Sequence, residues 1–119
     1  MNRMTLFARS SYKHRIEEQL VRCRQVASSK GLPLEGAQIL MDTGPRAAAP
    51  VARRPAYGKL VESIRKGRCD LVVVDEVIVL TSDIEELAHL WTYVRAGALR
   101  LVTADGVDTG WLCARQRAR

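Results

Sequence analysis

The sequence predicts an α/β fold, a three-layer sandwich in which helices cover both faces of a mostly parallel central sheet of four to five strands. Three observations carry this expectation. Short apolar stretches alternate with amphipathic helical stretches four times along the chain, which implies parallel pairing through right-handed crossovers. One stretch, Leu71-Val72-Val73-Val74, is a continuous apolar run without polar alternation, as a central strand covered on both faces requires. And 119 residues suffice for one core flanked by helices but not for a second module.

Taken in order, residues 4–8 read as a short buried strand. Residues 16–29 follow as a helix, with Ile16, Leu20, Cys23 and Ala27 at helical spacing, Glu17 and Glu18 suited to its first turn and Gly31 to its end. Residues 38–41 make a second strand, followed by Asp42-Thr43-Gly44-Pro45. From there to Pro55 the chain is rich in Ala, Pro and Arg without periodicity, which describes a mobile loop. Pro55 opens a helix with Tyr57, Leu60, Val61 and Ile64 on one stripe and Gly67 at its stop. After the central strand, Ser82 and Glu85 form a capping box for a helix that places Ile84, Leu87, Ala88 and Trp91 on its apolar face and stops near Gly97. Trp91 is expected to fill core. Residues 99–103 are a further strand, before the polar turn Ala104-Asp105-Gly106. The reading divides the chain into a domain over 1–110 and a basic C-terminal tail over 111–119.

Composition narrows the function. A net charge of +6 and a pI near 9.7 favour a polyanionic partner, and the cations cluster near the start, in the middle and at the end, while the stretch between Asp70 and Glu86 turns acidic. That split predicts a basic rim, with Arg46, Arg53, Arg115 and Arg117 as DNA-binding residues. Cys23, Cys69 and Cys113 are odd in number and far apart, which argues against a zinc site or a disulfide framework and for a reduced, cytoplasmic protein. Cys23 and Cys69 read as small core residues, and His14 and His89 as surface or partly buried ones. No run is long enough to span a membrane, no signal-peptide stretch opens the chain, and no glycine-rich loop marks a dinucleotide site.

The candidate chemistry lies in Leu6-Phe7-Ala8-Arg9-Ser10-Ser11, where a strand runs into an arginine and two hydroxyls. Ligands of open α/β sheets bind at the carboxyl ends of strands, so a nucleophile and a phosphate-binding cation are well placed there. The plainer reading makes Ser11 a helix cap and Arg9 a solvated cation.

Further residues carry a resemblance. The segment Phe7-Ala8-Arg9-Ser10-Ser11, then Gln19, Asp42, Arg54-Pro55-Ala56-Tyr57, Lys66-Gly67, Asp70-Leu71-Val72-Val73-Val74 and Leu101-Val102-Thr103-Ala104-Asp105-Gly106 resemble, in order and spacing, the catalytic domain of the serine site-specific recombinases, the resolvases and invertases. The resemblance implies a resolvase-like fold and a serine that attacks a DNA phosphodiester, forming a phosphoserine linkage amid several arginines and without metal or cofactor. It assigns Ser11 as nucleophile, with Ser10 as a rival, and Arg9 and Arg54 as catalytic cations. Register places the family's Asp-Arg pair after the central strand on Ile78 and Val79, and its second arginine on Ser82. The expectation is therefore a catalytically impaired domain that binds DNA weakly or pairs with a full-length recombinase or a second copy of itself. The alternative is an active enzyme using Ser11, with cations supplied by a partner or by Arg46 and Arg53.

Overall fold

The structure, a computed structural model, describes residues 3–112; Cys113, Arg115, Arg117 and most of the expected tail lie outside them. Four strands, β1 (Met4–Ser10), β2 (Gln38–Thr43), β3 (Leu71–Val74) and β4 (Arg100–Thr103), form an all-parallel sheet in the order β2-β1-β3-β4. Helix α1 (Lys13–Ser29) joins β1 to β2, α2 (Pro55–Arg65) leads into β3, and α3 (Val77–Leu80) and α4 (Ile84–Arg95) connect β3 to β4.

Side-chain alternation distributes two cores over the two faces. Leu6, Ala8, Leu71, Val73 and Val102 pack with Ile16, Leu20, Cys23 and Ala27 of α1. On the other face Phe7, Val72, Val74 and Leu101 meet Tyr57, Leu60 and Ile64 of α2 and Leu90 and Val94 of α4. The valines of β3 are fully buried, as their unbroken run predicts. Burial also pushes the Cys23 thiol up to about 12, which suits a core residue rather than a nucleophile.

Several boundaries differ from expectation. Helix α1 begins at Lys13, so Glu17 and Glu18 fall beyond its first turn, which holds no acid. Strands β1 and β2 each run two residues further than expected. The segment between β2 and α2 folds into two 3₁₀ turns, Gly44–Ala48 and Val51–Arg53, because Ala47 is buried and its carbonyl is held by a side chain. Asp83, not Ser82, caps α4 by accepting from the N–H groups of Glu85 and Glu86. On that helix the residues that enter the core are Leu90 and Val94, whereas Ile84 is 81% and Trp91 45% exposed, so Trp91 does not fill core.

The sheet order positions the site. From β1 the chain steps outward to β2, then returns past β1 to β3 and β4. Its direction reverses between β1 and β3, and the crevice outside the carboxyl ends of those strands is where such a sheet receives ligands.

Candidate phosphate-binding site

Arg9 lies near the end of β1 on the α2 face, beside Asp42 of β2 in register. Its backbone is fixed from below: the Gln19 side chain accepts from Arg9 N–H at 2.9 Å and donates its amide to the Arg9 carbonyl at 2.9 Å. The guanidinium crosses the β1/β3 crevice. Nε donates to the Val79 carbonyl at 2.9 Å, Nη1 to the Ala47 carbonyl at 3.0 Å, and Nη2 to the Ile78 carbonyl. Val79 and Ile78 carry two orphan carbonyls of the short helix α3, so Arg9 satisfies a helix end that has no other cap. It is the backbone oxygens of Ile78 and Val79, not their side chains, that receive the arginine.

Arg54 is 3% exposed and wholly interior. Its Nε donates to Asp42 Oδ2 at 3.2 Å, and its guanidinium carbon lies 5.0 Å from the Tyr57 ring centroid and 5.8 Å from that of Phe7. Asp42 also accepts from the N–H groups of Ala56 at 3.0 Å and Tyr57 at 3.1 Å. A carboxylate from a neighbouring strand thus caps α2, whose first residue, Pro55, has no N–H to satisfy. Tyr57 then donates its hydroxyl to Glu86 Oε2 at 3.0 Å, tying α2 to α4. Arg54 Nη2 is buried without a hydrogen-bond partner among the described residues.

Electrostatics agree with the geometry. Burial lowers the affinity of the Arg54 guanidinium for its proton, and the nearby charge of Arg9 lowers it further, against the attraction of Asp42. Arg9 is lowered by burial and supported by Asp42. Both remain charged, because an arginine starts far above neutrality.

The structure brings Arg9, Asp42 and Arg54 together, and among the described residues neither serine hydrogen-bonds to them through its side chain. Ser10 is half-buried and its Oγ accepts from Tyr12 N–H at 3.1 Å, while Ser11 is exposed and makes no hydrogen bond among the described residues. Arg46 and Arg53 are exposed on the two 3₁₀ turns, and Arg115 and Arg117 fall outside the described residues. No group of three or more His, Cys, Asp or Glu side chains among the described residues could hold a metal. Nor is any helix among them long and apolar enough to cross a membrane. Sequence reasoning missed the three carbonyls that hold Arg9, since every residue carries one. Resemblance alone points to Asp42, and nothing in the sequence marks its role as a cap.

Residues 6–112 match the family described as Resolvase, N terminal domain. No curated protein matches by sequence. Among solved structures, the chain is similar to the N-terminal catalytic domain of TP901-1 integrase, with a TM-score of 0.72 and 20% identity over 98% of this chain and 92% of that one. It is also similar to a resolvase family site-specific recombinase from Streptococcus pneumoniae, with a TM-score of 0.67 and 15% identity over 99% of this chain and 85% of that one. A third likeness is to the C-terminal catalytic domain of ISC1926 TnpA, an IS607-like serine recombinase, with a TM-score of 0.66 and 20% identity over 86% and 68%. At such identities these likenesses speak for the fold.

Proposed function

The chain belongs to the resolvase N-terminal domain family, and from that premise we propose that it is a serine recombinase-like catalytic domain impaired in strand cleavage, acting as a weak DNA-binding module. The observation that carries this reading is the engagement of Arg9. Phosphoryl transfer by a serine gathers negative charge that preorganised cations must meet. Here each guanidinium nitrogen of Arg9 already donates to a backbone carbonyl, Arg54 is held by Asp42, and Ile78, Val79 and Ser82 offer no replacement. Removing one such donor from a well-defined site lowers the rate by about 10²- to 10³-fold, and Ser11 is exposed and hydrogen-bonded to neither arginine among the described residues. Exposed Arg46 and Arg53, on the turns that lead into α2, are the cations offered to phosphates.

Incubation with supercoiled plasmid tests the reading. It expects no covalent protein–DNA adduct, and binding that falls steeply with salt and varies little with sequence. An adduct abolished by Ser11→Ala overturns it in favour of the active enzyme.

A second reading, pairing with a full-length recombinase, is favoured by an apolar trough of about 380 Å³ between α4 and the sheet, lined by Ile64, Val77, Ile84, Leu87, Trp91 and Val107. Exposed apolar concavities of this kind mark protein partners. Trp91→Asp is expected to abolish co-elution with such a recombinase while leaving DNA affinity unchanged; co-elution that survives the substitution removes this reading.

A further inference from the structure

We infer that the free edge of β2 is a self-association surface, on which two copies of the chain pair their β2 strands antiparallel and join their sheets into one. An open sheet has two edges, and this molecule treats them differently. Beyond β4 the chain turns back: Val102 and Asp108 form an antiparallel bridge, Thr103 N–H donates to the Val107 carbonyl at 2.8 Å, and Thr109 N–H to the Leu101 carbonyl at 3.0 Å. That return covers the β4 edge. Among the described residues nothing equivalent lies beyond β2, whose backbone pairs with β1 alone.

Edges left open are normally blunted by lysine, proline, a bulge or short length. β2 has none of these over its six residues; its one charge, Asp42, points inward, which can itself blunt an edge, but here that carboxylate is taken up by Arg54 and the start of α2. The residues it shows are Gln38, Ile39, Met41 and Thr43, with Ile39 41% and Met41 47% exposed. Ile39 and Met41 stand in register with Leu6 and Ala8, on the α1 side of the sheet but outside the cover of that helix.

Charge selects a second copy as the occupant. The chain carries +6, yet the exposed residues of the strand itself, Gln38, Ile39, Met41 and Thr43, are uncharged and so put no like charges against a second copy. The strip is also flanked by opposite signs, exposed Glu35 before it and exposed Arg46 after it. Antiparallel pairing brings Glu35 of one copy close to Arg46 of the other, whereas parallel pairing would set like beside like. Centred on Leu40, the antiparallel register sets Ile39 opposite Met41 on one face, at the spacing of about 4.5–5.5 Å at which cross-strand pairs stabilise a sheet.

Sedimentation of the full chain tests this. The wild type is expected to show twice the monomer mass at high concentration, and Ile39→Lys with Met41→Lys to weaken the dimer at least tenfold; unchanged thermal unfolding in the monomeric range shows that the variant folds. In a Cys113→Ser background, a short bismaleimide should link Ile39→Cys chains to Met41→Cys chains more readily than Met41→Cys chains to one another. A monomer at every concentration overturns the inference. So does a dimer that survives both lysines, one lost instead through Trp91→Asp, or preferential Met41→Cys self-linkage.

Discussion

Arg9 and Arg54 lie on the same side of the sheet, close enough for one charge to act on the other, yet they are fixed by different chemistry. Arg54 is walled in by Phe7 and Tyr57 and neutralised by Asp42, a carboxylate that also caps a helix. Arg9 is half-buried, and its acceptors are carbonyl dipoles on two separate segments, the 3₁₀ turn at Ala47 and the short helix α3. A buried charge must keep a charged partner, because its desolvation is costly. A half-buried one is content with dipoles. Arg54 therefore belongs to the core of the fold, whereas Arg9 acts as a strap across the crevice and holds segments that core packing alone leaves loosely tied.

Removing the partner of each arginine separates the two roles. Asp42→Ala strands Arg54 without a counter-charge and uncaps α2, so it is expected to cost roughly 3 to 5 kcal/mol of unfolding free energy. Arg54→Met is milder, about 1 to 3 kcal/mol, because Asp42 keeps the N–H groups of Ala56 and Tyr57. Urea denaturation measures both. Equal costs would mean that the ion pair, not the cap, sets the effect.

Arg9→Ala is the next largest. It uncaps the end of α3 and frees the carbonyl of Ala47, with an expected cost of about 2 to 3 kcal/mol for charge-assisted bonds lost together. Arg9→Lys should recover little of it, since an ammonium cannot reach three acceptors set around a planar fork. Hydrogen exchange adds a spatial readout: faster exchange in residues 77–81, with α2 unchanged. Full rescue by lysine would show that charge, rather than shape, holds the crevice.

How much of this was legible depends on which group does the holding. Pro55 and Gly67 bracketed α2, and the valines of β3 announced a central strand, because proline, glycine and β-branched side chains act through their own backbones. Resemblance singled out Arg9, Asp42 and Arg54 from the sequence, and the fold sets the three beside one another. The site itself was not legible, since carbonyls are common to every residue and only the fold decides which ones face an arginine. Ser82 and Asp83 are adjacent residues of equal capping aptitude, so the one-residue choice between them was open. The stripe on α4 named an apolar face but could not say how much chain covers it, and Trp91 was left at the rim of the trough.

Acid sharpens the comparison by the smallest effect, because carboxylate anchors titrate and carbonyl anchors do not. Asp108 accepts from Arg100 Nε at 3.0 Å and Nη2 at 2.9 Å, from Lys30 Nζ at 2.9 Å and from Gly110 N–H at 2.8 Å. Arg100 above all holds its carboxyl well below the usual carboxylate range, with burial opposing and Lys30 and the Gly110 N–H assisting. A depressed pKa in the folded state contributes stability that is fully present above about pH 4, the ordinary carboxylate value, and fades as the pH falls further toward the lowered one. Asp108→Asn should therefore flatten the loss of unfolding free energy below that pH while changing little of its slope near neutrality. Arg9→Ala should keep most of its deficit at both ends of the window, since the carbonyls of Ala47, Ile78 and Val79 keep their charge distribution throughout and only the Coulombic support of Asp42 can fade in acid. Urea titrations repeated across the acid range read both slopes, and an Arg9→Ala deficit that vanishes in acid would place a carboxylate among the anchors of that arginine.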